Sequence, residues 1–532
     1  MERTALLSVS NKHDIVFLAE SLHHKYAYSI LSSGGTANII EAAGLPVRRI
    51  SDYTGFPEIL GGRVKTLHPL VYGGILADLD RPSHKIDLKT NDITPIDLVV
   101  VNLYPFSETV TEISVDWMKA IENIDIGGAS MIRAAAKNHS HVSILTNPLQ
   151  YQSFLSAISH NCLNLELRQQ LALEAFNHTA RYDAAISRWM ISRLSNKASV
   201  DSSKVNPYKS ESSDFLLSLP LHQKLRYGEN PHQEGSWYTS KNIGWGGIHQ
   251  IQGKELSTNN LLDLDVALAI VREFGYLSTG GQLESRPAAV VIKHTNPCGV
   301  ATGLNGLEAL TRALDTDRVS AFGGIIALNS IVEISMAKEL TSLFLECIVA
   351  PGFTDDALEK LRTKKNLRLL ILNSDSIDNA NHQQLRSLLG GILVQDLDDQ
   401  PINTHNWSVV TQKFPTETEM IDLSFAWSVV RHVRSNAIVV ACNNQSLGIG
   451  AGQMNRIGSA HIALKAAGDS THGAVIASDG FFPFDDTVRA AALHGIKAII
   501  QPGGSLRDKD SIKACDELGL AMITTKQRHF LH

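Results

Sequence analysis

DLVVVNLY, residues 97–104, holds four aliphatic residues in a row, Leu98–Val101, closed by Asn102 and Tyr104. An apolar run of that length reads as a strand. TALLSV (4–9), YSIL (28–31) and VSILT (142–146) repeat the pattern, while TANIIEAAG (36–44) and SMIRAAAKN (130–138) carry helical spacing. Strands alternating with helices predict a parallel sheet flanked by helices. A long helical pattern then covers 165–194. After it SNKASVDSSKVNPYKSESSD (195–214) is poor in large apolar residues and reads as a linker, which places a domain boundary near residue 198.

The remainder, 199–532, mixes the same patterns. AAVVIKH (288–294), GGIIALN (323–329), AIVVAC (437–442), GAVIAS (473–478) and KAIIQ (497–501) read as strands, and LLDLDVALAIVREF (261–274) and SAHIALKAAG (459–468) as helices. The length suits two related subdomains, although no clear internal repeat stands out. The fold class is α/β throughout.

At 532 residues the chain exceeds one ordinary core. A net charge of −6, with no Lys/Arg run, gives no footprint for nucleic acid, so an anionic ligand must be held by local clusters. Five cysteines, Cys162, Cys298, Cys347, Cys442 and Cys515, are never closely paired and fit free thiols in a reducing compartment. The first residues lack a long apolar segment, and no apolar stretch approaches the ~20 residues that span a bilayer. The expectation is a cytoplasmic protein.

SSGGT (32–36) follows a strand and opens a helix, so its backbone N–H groups can cradle an anion. A tight turn with Thr36 as N-cap is the plainer alternative. DIGGAS (125–130) repeats the arrangement, and GGRVKTLHP (61–69) places Arg63 and Lys65 between the two. Two glycine turns and two cations in one domain favour a phosphate-bearing ligand. No P-loop motif is present, and GIGAG (448–452) follows a polar NNQ turn, which makes a dinucleotide fingerprint weak.

AVVIKHTNPCG (289–299) ends an apolar run in Lys293, His294 and an Asn-Pro-Cys-Gly turn. Three chemistries compete for it. Zinc deaminases need P-C-x-x-C, and Pro297-Cys298 lacks the second cysteine. A thiol nucleophile needs Cys298 lowered in pKa, whereas a cysteine beside a strand end is more often packed. The acid/base answer uses a neutral His294 as proton acceptor and Lys293 to donate a proton or stabilise negative charge. An isolated Lys-His pair would more often be a solvated lysine and a satisfied histidine. This pair is accompanied by LRYGENPHQ, STNNLLDLD, SAFGG, ECIVAPGF, RHVRSNAIV, GAGQMNRI and GFFPFDD.

That ordered set, running from SVSNK (8–12) to RHFLH (528–532), resembles the bifunctional purine-biosynthesis family that joins AICAR (aminoimidazole-carboxamide ribonucleotide) transformylase to IMP cyclohydrolase. The resemblance implies an N-terminal methylglyoxal-synthase-like domain, 1–198, that closes the purine ring. It implies a C-terminal domain, 199–532, of two cytidine-deaminase-like subdomains without zinc, which moves a formyl group from formyl-tetrahydrofolate to AICAR. Nucleotide and folate are then the small-molecule partners, with no nucleic acid or membrane, no catalytic metal, and a homodimer whose transformylase active sites lie at its interface.

Motif by motif, the resemblance implies that Ser10, Lys12, Ser33, Gly34, Gly35, Thr36, Arg63, Thr66, Asn102, Ile126 and Gly127 bind the cyclohydrolase substrate. Lys65, Tyr104, Asp125 and Lys137 are its implied chemical residues. In the transformylase, Lys293 and His294 match the catalytic pair, and Asn436 would orient the formyl group. Arg226, Tyr227, Asn260, Gly323, Glu346, Arg456, Phe481 and Arg528 would hold AICAR, with Ile457, Gly503 and Gly504 near the folate. SVSNKHDI replaces the commoner SVSDKTGI, and HPLVYGG carries Leu70 and Tyr72 where the family has Lys and His; the anion-contacting residues stand. Two other classes remain open, a nucleotide-sensing regulator and a zinc-type nucleoside deaminase.

Overall fold

The computed structural model describes residues 3–104, 106, 116–198, 215, 217, 219–278 and 286–532. It falls into two units, Met1–Ser218 and Leu219–His532. The stretch 199–214, where the sequence places the linker, lies outside the described residues.

In the first unit β1 (Arg3–Val9), β2 (Tyr28–Ser32), β3 (Arg48–Arg49), β4 (Leu98–Asn102) and β5 (Ser143–Leu145) form one sheet in the order β3-β2-β1-β4-β5. Every pairing is parallel. All five residues of β4 are buried, as its unbroken apolar run requires. The chain leaves β1 toward β2 on one side, and β4 lies on the other. Such a switch of direction opens a crevice at the C-terminal ends of the strands. The segments after β1, β2 and β4 carry Ser10–Lys12, Ser33 with the helix start Gly34–Gly35, and Tyr104.

In the second unit a 12-stranded sheet is built twice over. Each half starts with an edge strand (His249–Gln252; Ser408–Val409) and a helix (Thr258–Arg272; Glu417–Val430). A hairpin follows (Ala288–Lys293 with Asn296–Thr302; Ile438–Cys442 with Gln445–Gly450), then three helix–strand repeats. The halves join antiparallel through Asn296–Thr302 and Gln445–Gly450, with Ala301 opposite Gln445. This junction brings the first hairpin's turn beside the segment entering Ile438–Cys442, where Arg434 N–H donates to Asn296 Oδ1 at 3.3 Å.

One face of that sheet has a core shared by both halves, including Val290, Ile292, Val439 and Trp427. The other has two cores, one around Val291 and Leu314, one around Val440 and Leu464. The duplication leaves only a scattered trace in the sequence. Gly299-Val-Ala-Thr-Gly303 matches Gly448-Ile-Gly-Ala-Gly452, and each is followed by an N-cap asparagine, Asn305 or Asn455. Ala313-Leu314 and Ala463-Leu464 then stand at the same distance beyond each cap. A Cβ on Gly299 would collide with the Ala313 carbonyl, and one on Gly448 with the Ala463 carbonyl. Close strand–helix contact preserves the glycines.

Two local expectations change. Asn296-Pro-Cys-Gly is not the turn: His294 and Thr295 turn the chain, and Asn296 begins the next strand, with a bulge between Pro297 and Gly299. Gly448 and Gly450 do come after the polar Asn443–Asn444 turn, but they lie within the strand that follows it.

Candidate active sites

The crevice of the first unit is a cavity of about 690 Å³. On the β1 side, Asn102 Oδ1 accepts from Ser10 N–H at 2.7 Å and Asn11 N–H at 2.8 Å, which shapes the loop carrying Lys12. Thr36 Oγ1 meets Val9 N at 3.1 Å and receives Lys12 Nζ at 3.0 Å. Ser33 precedes helix Gly34–Ala42 without capping it, and its buried Oγ has no partner. A buried hydroxyl left unpaired at a helix N-terminus suits a ligand that brings acceptors. Gly34 has φ +52°, and a Cβ there would stand 3.7 Å from Lys65 Nζ.

Burial lowers the Lys12 pKa, and the neighbouring Lys65 charge lowers it further. Two ammonium groups held this close are relieved by an anion between them, which is electrostatics fit for phosphate. Arg63 lies at the rim, exposed and paired with Glu122, a residue sequence reading did not single out. Thr66 Oγ1 would stand 2.7 Å from a Cβ on Gly127, so the glycine admits close packing where helix Gly127–Lys137 begins.

Asp125 sits just before that helix, with Gly128 N–H donating to its Oδ1 at 2.7 Å. Burial raises its pKa, opposed by the Gly128 bond and by Lys65. A carboxyl raised in this way can hold and release a proton nearer neutrality. Asp125 N–H donates to Tyr182 Oη at 2.7 Å, and Tyr182 donates to Asn123 O at 3.4 Å. Tyr182, far away in sequence, thus fixes the loop; no local motif signals it. Tyr104 and Ile126 line the cavity and are exposed at 53% and 59%. Lys137 does not line it, since it ends the helix that Gly127 begins, ~15 Å away at 1.5 Å per residue.

In the second unit Lys293, His294 and Asn436 lie at the strand ends where the first hairpin, central in the sheet, turns. Lys293 ends its strand with Nζ donating to Phe322 O at 3.1 Å and Gly323 O at 2.9 Å. Gly323 takes φ +66°, and a Cβ there would reach 3.0 Å from that nitrogen. His294 is exposed at the hairpin tip. Beyond it, Arg434 Nε donates to Thr295 Oγ1 at 3.3 Å, tying the turn to the segment that carries Asn436. Asn436 is held by Arg456 Nη2, 2.7 Å from its Oδ1, and donates from Nδ2 to Gln453 O at 2.9 Å.

Several residues expected to hold the nucleotide have internal partners. Arg456 is buried, ion-paired with fully buried Asp479 and 3.0 Å from Ser478 Oγ. Asn260 is buried in a capping box with Ser257. Glu346 accepts from Arg368 Nη1 at 2.7 Å. Phe481 is 39% exposed, Arg226 lies over the Tyr227 ring and Arg528 over Phe530. Ile457 is half-buried in the first turn of helix Arg456–Ala467. Gly503 and Gly504 adopt φ +74° and +96°, and a Cβ on Gly504 would meet nothing within 4 Å.

Cys298 is half-buried, its Sγ 3.5 Å from Val291 O, and burial with Asp317 nearby pushes its thiol up to about 12. Such a thiol carries almost no thiolate at neutral pH. Among the described residues the one group of three or more side chains placed to share a cation is Asp78, Asp80 and His141, in the first unit.

A crevice lined by two lysines and two helix starts in one unit, and a lysine–histidine hairpin in the other, suit a two-site enzyme of small phosphorylated substrates. An "AICARFT/IMPCHase bienzyme" family model matches residues 135–466, and an "MGS-like domain" model matches 14–130. The bifunctional purine biosynthesis protein PurH of Synechococcus sp. (strain CC9311) is 63% identical over 534 residues, covering 100% of both chains. That of Prochlorococcus marinus (strain MIT 9303) is 62% identical over 532 residues, again 100% of each. The chain belongs to the AICARFT/IMPCHase bienzyme family. It is a bifunctional enzyme of the last two steps of IMP biosynthesis, AICAR formyl transfer and ring closure.

Proposed function

We propose that formyl transfer takes place at the strand ends that carry Lys293 and His294, and ring closure in the crevice of the first unit. The observation that carries this reading is the exposed His294 at a hairpin tip, with Lys293 beside it and Asn436 on the segment bound to the same turn. The formyl donor is formyl-tetrahydrofolate. The AICAR amine attacks the formyl carbon while His294 takes its proton, an assistance worth ~10²–10⁴-fold. Lys293 stabilises the oxyanion and protonates the folate nitrogen as the C–N bond breaks, leaving formyl-AICAR and tetrahydrofolate.

Ring closure is intramolecular: the carboxamide nitrogen adds to the formyl carbon, and water leaves. Lys12, Lys65 and the two helix starts hold the phosphate end, and Asp125 supplies a proton to the departing hydroxyl. Orientation in such a site can contribute roughly 7–11 kcal/mol. Neither step assigns work to a metal.

The protein acts as a homodimer in the cytoplasm. Hairpin Gln383–Leu388/Gly391–Asp396 is exposed along its whole length and presents Leu385, Leu388, Ile392, Leu393 and Val394. A lone hairpin is marginal in water and an apolar one invites cover, which a second copy supplies. An active species sedimenting near the single-chain mass of 58.0 kDa would rule this out. For location, the five free cysteines agree, and no described helix is long and apolar enough to cross a membrane.

The deciding assay combines protein, AICAR and formyl-tetrahydrofolate and follows IMP. AICAR binding without turnover would favour a sensing role, and ammonia release with bound zinc a deaminase.

A further inference from the structure

The two halves of the second unit use one device at corresponding places. Helices Thr258–Arg272 and Glu417–Val430 both begin in a capping box, and both carry an aspartate at their sixth residue, Asp263 and Asp422. Asp422 accepts from both amides of the second hairpin's turn, Asn443 N–H at 2.9 Å and Asn444 N–H at 2.7 Å. Asp263 Oδ1 accepts Thr295 N–H in the first hairpin's turn at 2.6 Å. Both turns need positive φ at two residues, +54° and +56° at Asn443 and Asn444, +52° and +57° at His294 and Thr295.

The residue types make these turns unequal. Asparagine enters the left-handed region readily, but a β-branched threonine there is an outlier held by its surroundings. Strain of this kind persists at functional positions when neighbouring groups over-determine it. The turn that is costly by itself is the one carrying His294. We propose that Asp263 is a positioning residue for formyl transfer: its carboxylate clamps the His294–Thr295 turn and so aims the Lys293–His294 pair. The role rests on the transformylase reading of this turn. Burial raises the Asp263 pKa, while the Thr295 amide and the nearby Lys293 charge lower it, as expected for a carboxylate facing that pair.

The test uses the full chain with Asp263→Ala, Asp263→Asn and the matched Asp422→Ala. Asp263→Ala should lower formyl-transfer kcat ~10²-fold, as for a small misplacement of reacting groups, and leave cyclisation intact. The AICAR KM should stay within about twofold, because the lost interaction aims the chemistry rather than the substrate. Asp263→Asn keeps an acceptor for Thr295 N–H and should recover most of the rate. Asp422→Ala should lose comparable thermal stability with transfer retained. An active wild-type enzyme whose Asp263→Ala variant keeps its kcat overturns the clamp, as does equal loss of transfer in both alanine variants. Wild-type protein that formylates no AICAR overturns the proposed function itself, and the clamp with it.

Discussion

Arg456 Nη2 stands 2.7 Å from Asn436 Oδ1, while the same guanidinium is ion-paired with Asp479 inside the protein. The arginine therefore acts on the asparagine more directly than on solvent. Arg456→Lys keeps a cation for Asp479 but loses the planar fork that reaches both partners. Formyl transfer should fall ~10²-fold through a displaced Asn436, with cyclisation unchanged. Separate kinetics of the two steps check this; equal loss of both would mean that the variant has damaged the fold.

Asp125 joins stability to chemistry. Its folded pKa is raised by burial, so the native state binds more protons than the unfolded one between the ordinary carboxylate pKa and the raised value. Stability from this group is therefore fully present below the ordinary value and is lost as pH rises through the raised one. Asp125→Asn should abolish cyclisation and yet melt higher than wild type at neutral pH, the two curves converging in acid. Melting scans across pH decide it, and a variant less stable at pH 7 would contradict the burial argument.

Lys65 faces Lys12 and Asp125 across the crevice. Lys65→Ala should cripple cyclisation while transfer continues, so that formyl-AICAR accumulates on a chromatogram. Normal IMP output from this variant would remove Lys65 from the mechanism.

Much of this was legible because short apolar runs and glycine turns have local causes. The run Leu98–Val101 became a fully buried central strand, and SSGGT and DIGGAS became helix starts facing one crevice. Two related subdomains were expected from length and resemblance, but no repeat stood out, because close packing keeps only scattered glycines, alanines and asparagine caps common to the halves. Asn-Pro-Cys-Gly reads as a turn through its proline and glycine, but a bulge lets the strand take both. Tyr182, Asp263 and the inward Arg456 act through contacts distant in sequence, for which a single chain gives no periodic signal.

The stretch AVVIKHTNPCG yields the last prediction. His294→Ala should reduce formyl transfer by ~10²-fold or more, the share of a general base, and leave cyclisation untouched. Cys298→Ala should keep most of the transfer activity, because a thiol pushed up to about 12 offers little nucleophile at neutral pH. Chelators should change neither step, because Pro297-Cys298 lacks the second cysteine of a zinc deaminase. The three outcomes are separable in one set of assays on the full chain. Loss of transfer in a stably folded Cys298→Ala variant would restore the thiol, and inhibition by chelator would restore a metal. Full activity in His294→Ala would remove the base, leaving Lys293 and the orientation of the bound substrates to account for the whole acceleration.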